Sequence, residues 1–88
     1  MAGARRVILQ SECLDDLRTW VATDARVAVR VLDLMEATRR EPFSGIGKPE
    51  PLKHLGPDLW SRRITRQDRL VYRVYGDVAD FLQARYHY

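Results

Sequence analysis

Three strand-like runs separated by very short connections constrain the fold of this chain more than any other feature. They cover residues 59–65, 69–75 and 78–86, and each contains β-branched and aromatic side chains. The connections, Arg66-Gln67-Asp68 and Gly76-Asp77, have lengths that suit antiparallel hairpins. The pattern therefore predicts three consecutive antiparallel strands in the C-terminal part of the sequence.

A first strand and a first helix are predicted ahead of these runs. Residues 6–10 have a short apolar centre bounded by polar groups, which favours a strand. Ser11 suits a helix N-cap. Apolar residues then recur on one helical face as far as Val21, which predicts an amphipathic helix.

A second helix is predicted to start at Thr23 or Asp24 and to run to about Arg40. Residues 27–31 also alternate with a period of two, which is typical of a strand. The length of about sixteen residues favours the helix, because strands usually run only ~3 to 10 residues. Two helices would then cover one face of a small antiparallel sheet, an α+β architecture in a single domain of 88 residues.

Composition excludes several classes of protein. No apolar run approaches the ~18 residues of a membrane helix, and Val7-Ile8-Leu9 is much shorter than the apolar segment of a signal peptide. We therefore expect a cytoplasmic protein. Cys13 is the only cysteine, which excludes an internal disulfide and a cysteine-based metal site and favours a buried structural thiol.

The positive charge is concentrated in one part of the sequence. Residues 1–47 carry seven basic and seven acidic side chains, whereas residues 48–88 carry eight basic and five acidic ones. Thirteen of the fifteen cations are arginine, whose planar guanidinium binds phosphate through two parallel hydrogen bonds. This pattern favours a polyanionic ligand for the second part, although a GC-rich coding bias explains the arginine usage equally well.

Strand alternation predicts which side chains of the sheet share a face. Tyr72 in the second run and Leu82, Ala84 and Tyr86 in the third would face the helices. The opposite face would gather Arg63, Arg69, Arg73, Arg85 and His87. A cationic face with aromatic patches is what a single-stranded nucleic acid favours.

A long loop with candidate catalytic residues precedes the three runs. Residues 43–57 contain three prolines and three glycines. Loops of this length are uncommon in compact domains and are often functional. The centre of the loop is Gly47-Lys48-Pro49-Glu50-Pro51-Leu52-Lys53-His54.

These side-chain types match one reaction on RNA. Cleavage by the neighbouring 2′-hydroxyl needs a base for that hydroxyl, positive charge on the phosphorane and an acid for the departing 5′ oxygen. Glu50 is the candidate base and His87 the candidate acid, and no metal is required. The candidates for the electrostatic clamp are Arg63, Arg69 and Lys53. Surrounding cations disfavour a protonated imidazole, so His87 needs compensation, for which the terminal carboxylate of Tyr88 is the candidate.

Each of these residues also has a purely structural interpretation. Glu50 between two prolines is typical of a solvated loop, and His87 is typical of a frayed terminus. The arginines could form the solvated side of a sheet or protect its edges. Tyr86 and Tyr88 could stack on a base or close the core.

Six parts of the sequence together carry a resemblance to a known family. They are Pro42-Phe43, Gly45, Gly47-Lys48-Pro49-Glu50-Pro51-Leu52-Lys53-His54, Trp60-Ser61-Arg62-Arg63-Ile64, Arg69-Leu70-Val71-Tyr72 and Arg85-Tyr86-His87-Tyr88. With similar spacing throughout, they resemble the Txe/YoeB toxins, which belong to the RelE-like group of toxin-antitoxin systems. The resemblance implies a βααβββ fold of the RelE-like, microbial-ribonuclease-like type.

The resemblance also implies a function: a metal-independent, ribosome-dependent endonuclease that cleaves mRNA in the ribosomal A site and so inhibits translation. It implies neutralisation by a YefM-like antitoxin, a homodimer and no cofactor. It assigns Glu50 as general base, His87 as general acid and Arg69 as the phosphate-binding arginine. Further positions of the family's site are matched by Lys53, Arg63 and Tyr88. Lys48 and His54 lie in matched sequence without an assigned step, and Arg85 and Tyr86 are further candidates for RNA contact.

Two other functions stay open on the sequence alone. The same basic face could bind RNA on the ribosome and inhibit translation without cleavage. It could also recognise an acidic protein as a small interaction module. A paired base and acid favour the nuclease, because a surface that only binds phosphate needs neither.

Overall fold

A five-stranded sheet forms the framework of the molecule, and two helices cover one of its faces. The computed structural model describes residues 3–87. The helices are α1, Ser11–Thr23, and α2, Ala25–Arg40. The strands are β1, Arg6–Leu9; β2, Glu50–Pro51; β3, Leu59–Arg63; β4, Asp68–Tyr75; and β5, Val78–His87. The strand order across the sheet is β1-β5-β4-β3-β2.

The predicted α+β architecture with two N-terminal helices is confirmed. Within α2, Ala28 and Val31 are buried on the helical face that meets the sheet, and this excludes the alternative strand over residues 27–31. Across residues 3–87, neither helix is long and apolar enough to cross a membrane.

The two edges of the sheet add detail that the sequence pattern does not predict. The sheet is antiparallel from β2 to β5, and β1 joins it through a parallel pairing with β5. β2 is a two-residue strand inside the loop predicted to lack regular structure. Its position at the edge suits its proline, because proline cannot donate a hydrogen bond to a ladder.

At the start of α1, the predicted N-cap is displaced by one residue, since Ser11 is already helical and Gln10 occupies the cap position without a side-chain capping bond.

The core lies between the helices and the sheet. Leu34 of α2 is fully buried in the same apolar cluster as Tyr72 and Phe81 of the sheet. Each large apolar side chain that is fully buried contributes ~1.5–3 kcal/mol by leaving water. The Trp20 indole donates a hydrogen bond of 2.8 Å from Nε1 to the Ala84 carbonyl, which fixes α1 on β5.

The hairpin between β4 and β5 corrects the predicted faces of the last strand. Its short turn pairs Tyr75 with Val78, so Phe81 lies opposite Tyr72 on the helix side. The predicted placement of Leu82 rather than Phe81 toward the helices is therefore wrong. The reason is that the turn sets the register at the start of β5. Further along the strand, Ala84 is buried in the core cluster, as predicted.

Two irregularities in the β4–β5 ladder, between Arg69 and Tyr72, then change the register again. Such irregularities add unpaired residues to one strand. Together they move the partners of the last residues of β5 by two positions, so the alternation that the turn sets is kept there. As a result, Tyr86 pairs directly with Arg69, and His87 pairs with Asp68. Directly paired residues project to the same face. The predicted placement of His87 on the face of Arg69 is therefore wrong, and Tyr86 lies there instead.

The single cysteine is buried, as predicted. Cys13 is inaccessible to solvent. Burial raises its pKa to about 12, with smaller contributions from the neighbouring carboxylates Asp16, Asp80 and Glu12. The raised pKa keeps the thiol protonated at neutral and mildly alkaline pH, and the thiolate is the reactive form. We therefore expect very slow reaction of the native protein with DTNB and rapid reaction after unfolding in guanidinium chloride. Rapid stoichiometric labelling of native protein would contradict this placement.

Candidate functional site

Arg62 organises the loop that carries the predicted base. Its side chain is fully buried. The guanidinium donates to three backbone carbonyls: Nη1 to Ile46 at 2.7 Å, and Nη2 to Glu41 at 2.6 Å and Ser44 at 2.9 Å. Buried carbonyls in an irregular segment need such donors. One side chain of β3 thus fixes the first part of the loop.

Gly47 fixes the next part of the loop against β3. Its φ of +80° lies in the left-handed region that favours glycine. A Cβ at this position would lie 2.6 Å from Leu34 Cδ2, so a larger residue would displace the loop from α2. The Gly47 carbonyl accepts a hydrogen bond of 2.6 Å from the Arg63 amide. The loop therefore runs beside β3 and reaches Glu50, which pairs with Ser61 as part of β2.

The loop and the sheet together bring Glu50 close to Arg69. Arg69 Nη1 lies 3.8 Å from Glu50 Oε1. The Arg69 side chain is only 9% exposed, whereas that of Glu50 is 36% exposed. The fold therefore holds the guanidinium in place while the carboxylate keeps access to solvent. This arrangement suits a base that works beside fixed positive charge.

His87 lies on the other side of Arg69, in an open cleft of about 500 Å³. The cleft is lined by Arg66, Gln67, Arg69 and His87. The imidazole Nε2 lies 3.0 Å from Asp68 Oδ1. The structure therefore places the candidate base and the candidate acid at two sides of the same arginine.

A row of three side chains crosses the sheet beside this cleft. Arg63 of β3 and Tyr86 of β5 each pair directly with Arg69 of β4. Arg63 is exposed and Tyr86 is half-buried. A cation and an aromatic ring on either side of a fixed arginine form a surface that suits the phosphate and base of one nucleotide.

Two of the predicted cationic residues have other contacts. The Arg85 guanidinium lies over the Trp20 ring of α1, 5.7 Å from its centroid. Arg73 Nε donates to Asp80 Oδ2 at 3.1 Å. The predicted gathering of five titratable side chains on one face is therefore wrong for Arg85, which reaches toward the helix layer, as it is for His87. The register of β5 is again the cause.

The remaining predicted residues lie around β2. Lys53 and His54 belong to a single turn of 3₁₀ helix, Lys53–Leu55, which begins two residues after the end of β2. Lys53 lines a second cleft of about 330 Å³, together with Pro51 and Trp60. Lys48 is exposed and has a positive φ of 54° just before β2. Tyr88 lies outside the described residues.

Comparison with known proteins identifies the family. Residues 9–88 match a family model described as the YoeB-like toxin of bacterial type II toxin-antitoxin systems. The chain belongs to this family. It is 47% identical over 83 residues to Toxin YoeB of Escherichia coli strain K12, a match that covers 94% of this chain and 99% of that protein.

Solved structures of YoeB toxins share the fold. The YoeB/ParE toxin from Agrobacterium tumefaciens superimposes with a TM-score of 0.89 at 42% identity, over 94% of this chain and 99% of that one. The YoeB dimer from Staphylococcus aureus superimposes with a TM-score of 0.89 at 28% identity, over 98% and 100% of the two chains. In its heterotetrameric YoeB-YefM complex, the S. aureus toxin superimposes with a TM-score of 0.82 over the same shares.

Two residues of this YoeB-like toxin are not singled out by sequence reasoning. Arg62 lies within a basic run, but alternation places it on the helix side with Trp60, and this signal indicates that it is buried. Asp68 lies in a predicted connecting turn. Its contact with His87 depends on the register of β5, so no local pattern predicts it.

Proposed function

We propose that this protein is a ribosome-dependent mRNA endonuclease that inhibits translation. One observation supports the proposal most directly: Glu50 is 3.8 Å from the buried Arg69, whose cleft also contains His87. A base, a fixed cation and an acid are the three groups that cleavage by the 2′-hydroxyl requires. The YoeB-like family supplies the biological setting, because its members are toxins of bacterial type II toxin-antitoxin systems.

In the proposed reaction, Glu50 accepts the proton of the 2′-hydroxyl while its oxygen attacks the adjacent phosphorus. Arg69 stabilises the negative charge that develops on the phosphorane, with further positive charge from Arg63 and Lys53. His87 donates a proton to the 5′ oxygen as its bond to phosphorus breaks. The products are a 2′,3′-cyclic phosphate and a free 5′-hydroxyl. The proton taken by Glu50 and the proton given by His87 balance over the step.

The partners follow from the relatives. The S. aureus toxin is described as a dimer and as part of a YoeB-YefM complex. We infer that this chain also forms a homodimer and is neutralised by a YefM-like antitoxin, which would cover the basic surface with a segment of opposite charge. Cleavage in the A site would place its action at ribosomes in the cytoplasm. An RNA-bound state would involve Tyr86 and Tyr88 in stacking on the mRNA bases.

Primer extension on a translating mRNA tests the proposal. We expect new 5′ ends at codons in the A site when purified protein is added, and the same ends when a chelator selective for transition metals is present. His87→Gln is expected to lose most of the cleavage, since general acid catalysis contributes ~10²- to 10⁴-fold.

Three other outcomes would separate the alternatives. Stalled ribosomes without new 5′ ends, with folded protein bound, would support a translation inhibitor that does not cleave. Absence of ribosome association would favour an interaction module. Cleavage that survives substitution of both Glu50 and His87 would place the chemistry on other residues.

A further inference from the structure

Asp68 is a buried carboxylate whose two oxygens both have a polar partner, and it is not one of the three groups that carry out the proposed reaction. It is 7% exposed at the start of β4. Its Oδ1 lies 3.0 Å from His87 Nε2. Its Oδ2 accepts a hydrogen bond of 2.8 Å from the Thr65 hydroxyl. A buried carboxylate is normally paired with a cation or fully hydrogen-bonded, and here one of its two partners is the candidate acid.

The turn between β3 and β4 holds this carboxylate in one position. The Thr65 hydroxyl accepts hydrogen bonds from the backbone amides of Gln67, at 3.2 Å, and Asp68, at 3.0 Å. The Ile64 amide donates to the Asp68 carbonyl at 2.9 Å. Backbone and side chain of Asp68 are therefore both fixed before any ligand binds. A residue that orients a catalytic side chain must itself be held in place in this way.

His87, in contrast, has little packing of its own to hold it. Its side chain is 70% exposed, and it is the last residue of β5. An exposed imidazole exchanges between rotamers unless a specific contact selects one. The hydrogen bond to Asp68 is the contact that selects one here.

Asp68 also acts electrostatically on His87, because two arginines line the same cleft. Arg69 of β4 and Arg66 of the β3–β4 turn line the same cleft, and cations disfavour the protonated imidazole that an acid requires. Glu50 is the carboxylate on the far side of Arg69, 3.8 Å from its Nη1. Asp68 is the carboxylate in direct contact with the ring, 3.0 Å from Nε2. Its negative charge lies where it can offset these cations, a role that the sequence alone assigned to the terminal carboxylate of Tyr88.

We propose that Asp68 positions His87 for the reaction by holding Nε2–H, which leaves Nδ1–H as the proton given to the departing 5′ oxygen. This inference rests on the proposed nuclease function. When Nδ1 gives up its proton, the ring becomes neutral with hydrogen on Nε2 and keeps its bond to Asp68. Asp68 stays ionised throughout and acts through His87, in the manner of the buried aspartate of a Ser-His-Asp triad.

The alternative is that Asp68 serves only to close the β3–β4 turn. Thr65→Ala distinguishes the two roles, because it removes the turn contact to Oδ2 and keeps the negative charge beside His87. Asp68→Asn removes the charge with little change in shape. Both substitutions should lower stability, but only Asp68→Asn should change how His87 titrates.

The test is an NMR titration of the histidine ring protons in the free protein, with His87 distinguished from His54 by His87→Gln. In Asp68→Asn, we expect the midpoint of the His87 titration to move to lower pH, since the ring loses a carboxylate in contact with it. Asp77→Asn, which removes an exposed carboxylate beyond the opposite end of β4, should leave the midpoint in place. In the wild type, the Asp68 Cγ resonance should show a step at the same pH, a readout that needs no substituted protein to fold.

The cleavage assay supplies the second arm. In Asp68→Asn, the alkaline limb of the pH profile should move to lower pH, in the same direction as the His87 midpoint, so activity on that limb should fall. Asp68→Glu should keep part of the activity that Asp68→Asn loses. An unchanged His87 titration, or a shifted titration with an unchanged cleavage profile, would overturn the proposal. If the wild type does not cleave at all, the nuclease function itself is refuted and the positioning role falls with it, whatever the titration shows.

Discussion

Glu50→Gln is expected to lower the rate of mRNA cleavage by about 10²- to 10⁴-fold, the usual contribution of a general base. The glutamine amide has nearly the same shape as the carboxylate but cannot accept the proton of the 2′-hydroxyl. Ribosome binding should be retained, because the substitution removes a negative charge from a basic surface that faces a polyanion. The decisive measurement is a single-turnover cleavage rate at saturating protein, which separates chemistry from binding.

Glu12→Gln is the matched control for this substitution. Glu12 is exposed in the first turn of α1, on the helix side of the sheet, and loses the same charge. Its cleavage rate should equal that of the wild type. A Glu50→Gln protein that binds ribosomes less tightly but cleaves at the normal rate once bound would show that Glu50 contributes to binding and not to catalysis. Equal rates for wild type and both variants would remove Glu50 from the reaction.

Regular elements follow directly from sequence periodicity, because repeated apolar residues on one face dictate which side is buried. The helical period of residues 27–40 dominates the local alternation at 27–31, and the structure shows a helix there. The two-residue turn after β4, Gly76-Asp77, is likewise predicted by its length and composition. Both features depend on local preferences that neighbouring elements reinforce.

The details that build the site depend on contacts between distant segments. β2 has only two residues, one of them proline, and it is a strand because β3 supplies a partner. The irregularities in the β4–β5 ladder place Tyr86 beside Arg69 and His87 beside Asp68. Alternation assumes an unbroken ladder, so it cannot predict either pair. The sequence therefore identifies the chemical groups of the candidate site more reliably than their mutual positions.

Arg62→Met is expected to lower the free energy of unfolding by about 1–3 kcal/mol for each buried carbonyl that loses its donor. Three loop carbonyls would lose their donor, and the guanidinium contact with the Tyr72 ring would be lost. A domain has only ~5–15 kcal/mol in total, so this loss is a large part of its stability. Guanidinium chloride unfolding followed by circular dichroism measures it.

Arg63→Met is the matched control, since it makes the same substitution at the adjacent residue. Arg63 is exposed, and its change in stability should stay within ~0.5 kcal/mol. Arg62→Lys should fall between the two, because an ammonium keeps the charge but cannot reproduce the planar fork that reaches three carbonyls. Equal, small losses for Arg62→Met and Arg63→Met would mean that the loop holds its shape without Arg62. In that case the approach of Glu50 to Arg69 would depend on Gly47 and the β2–β3 pairing alone.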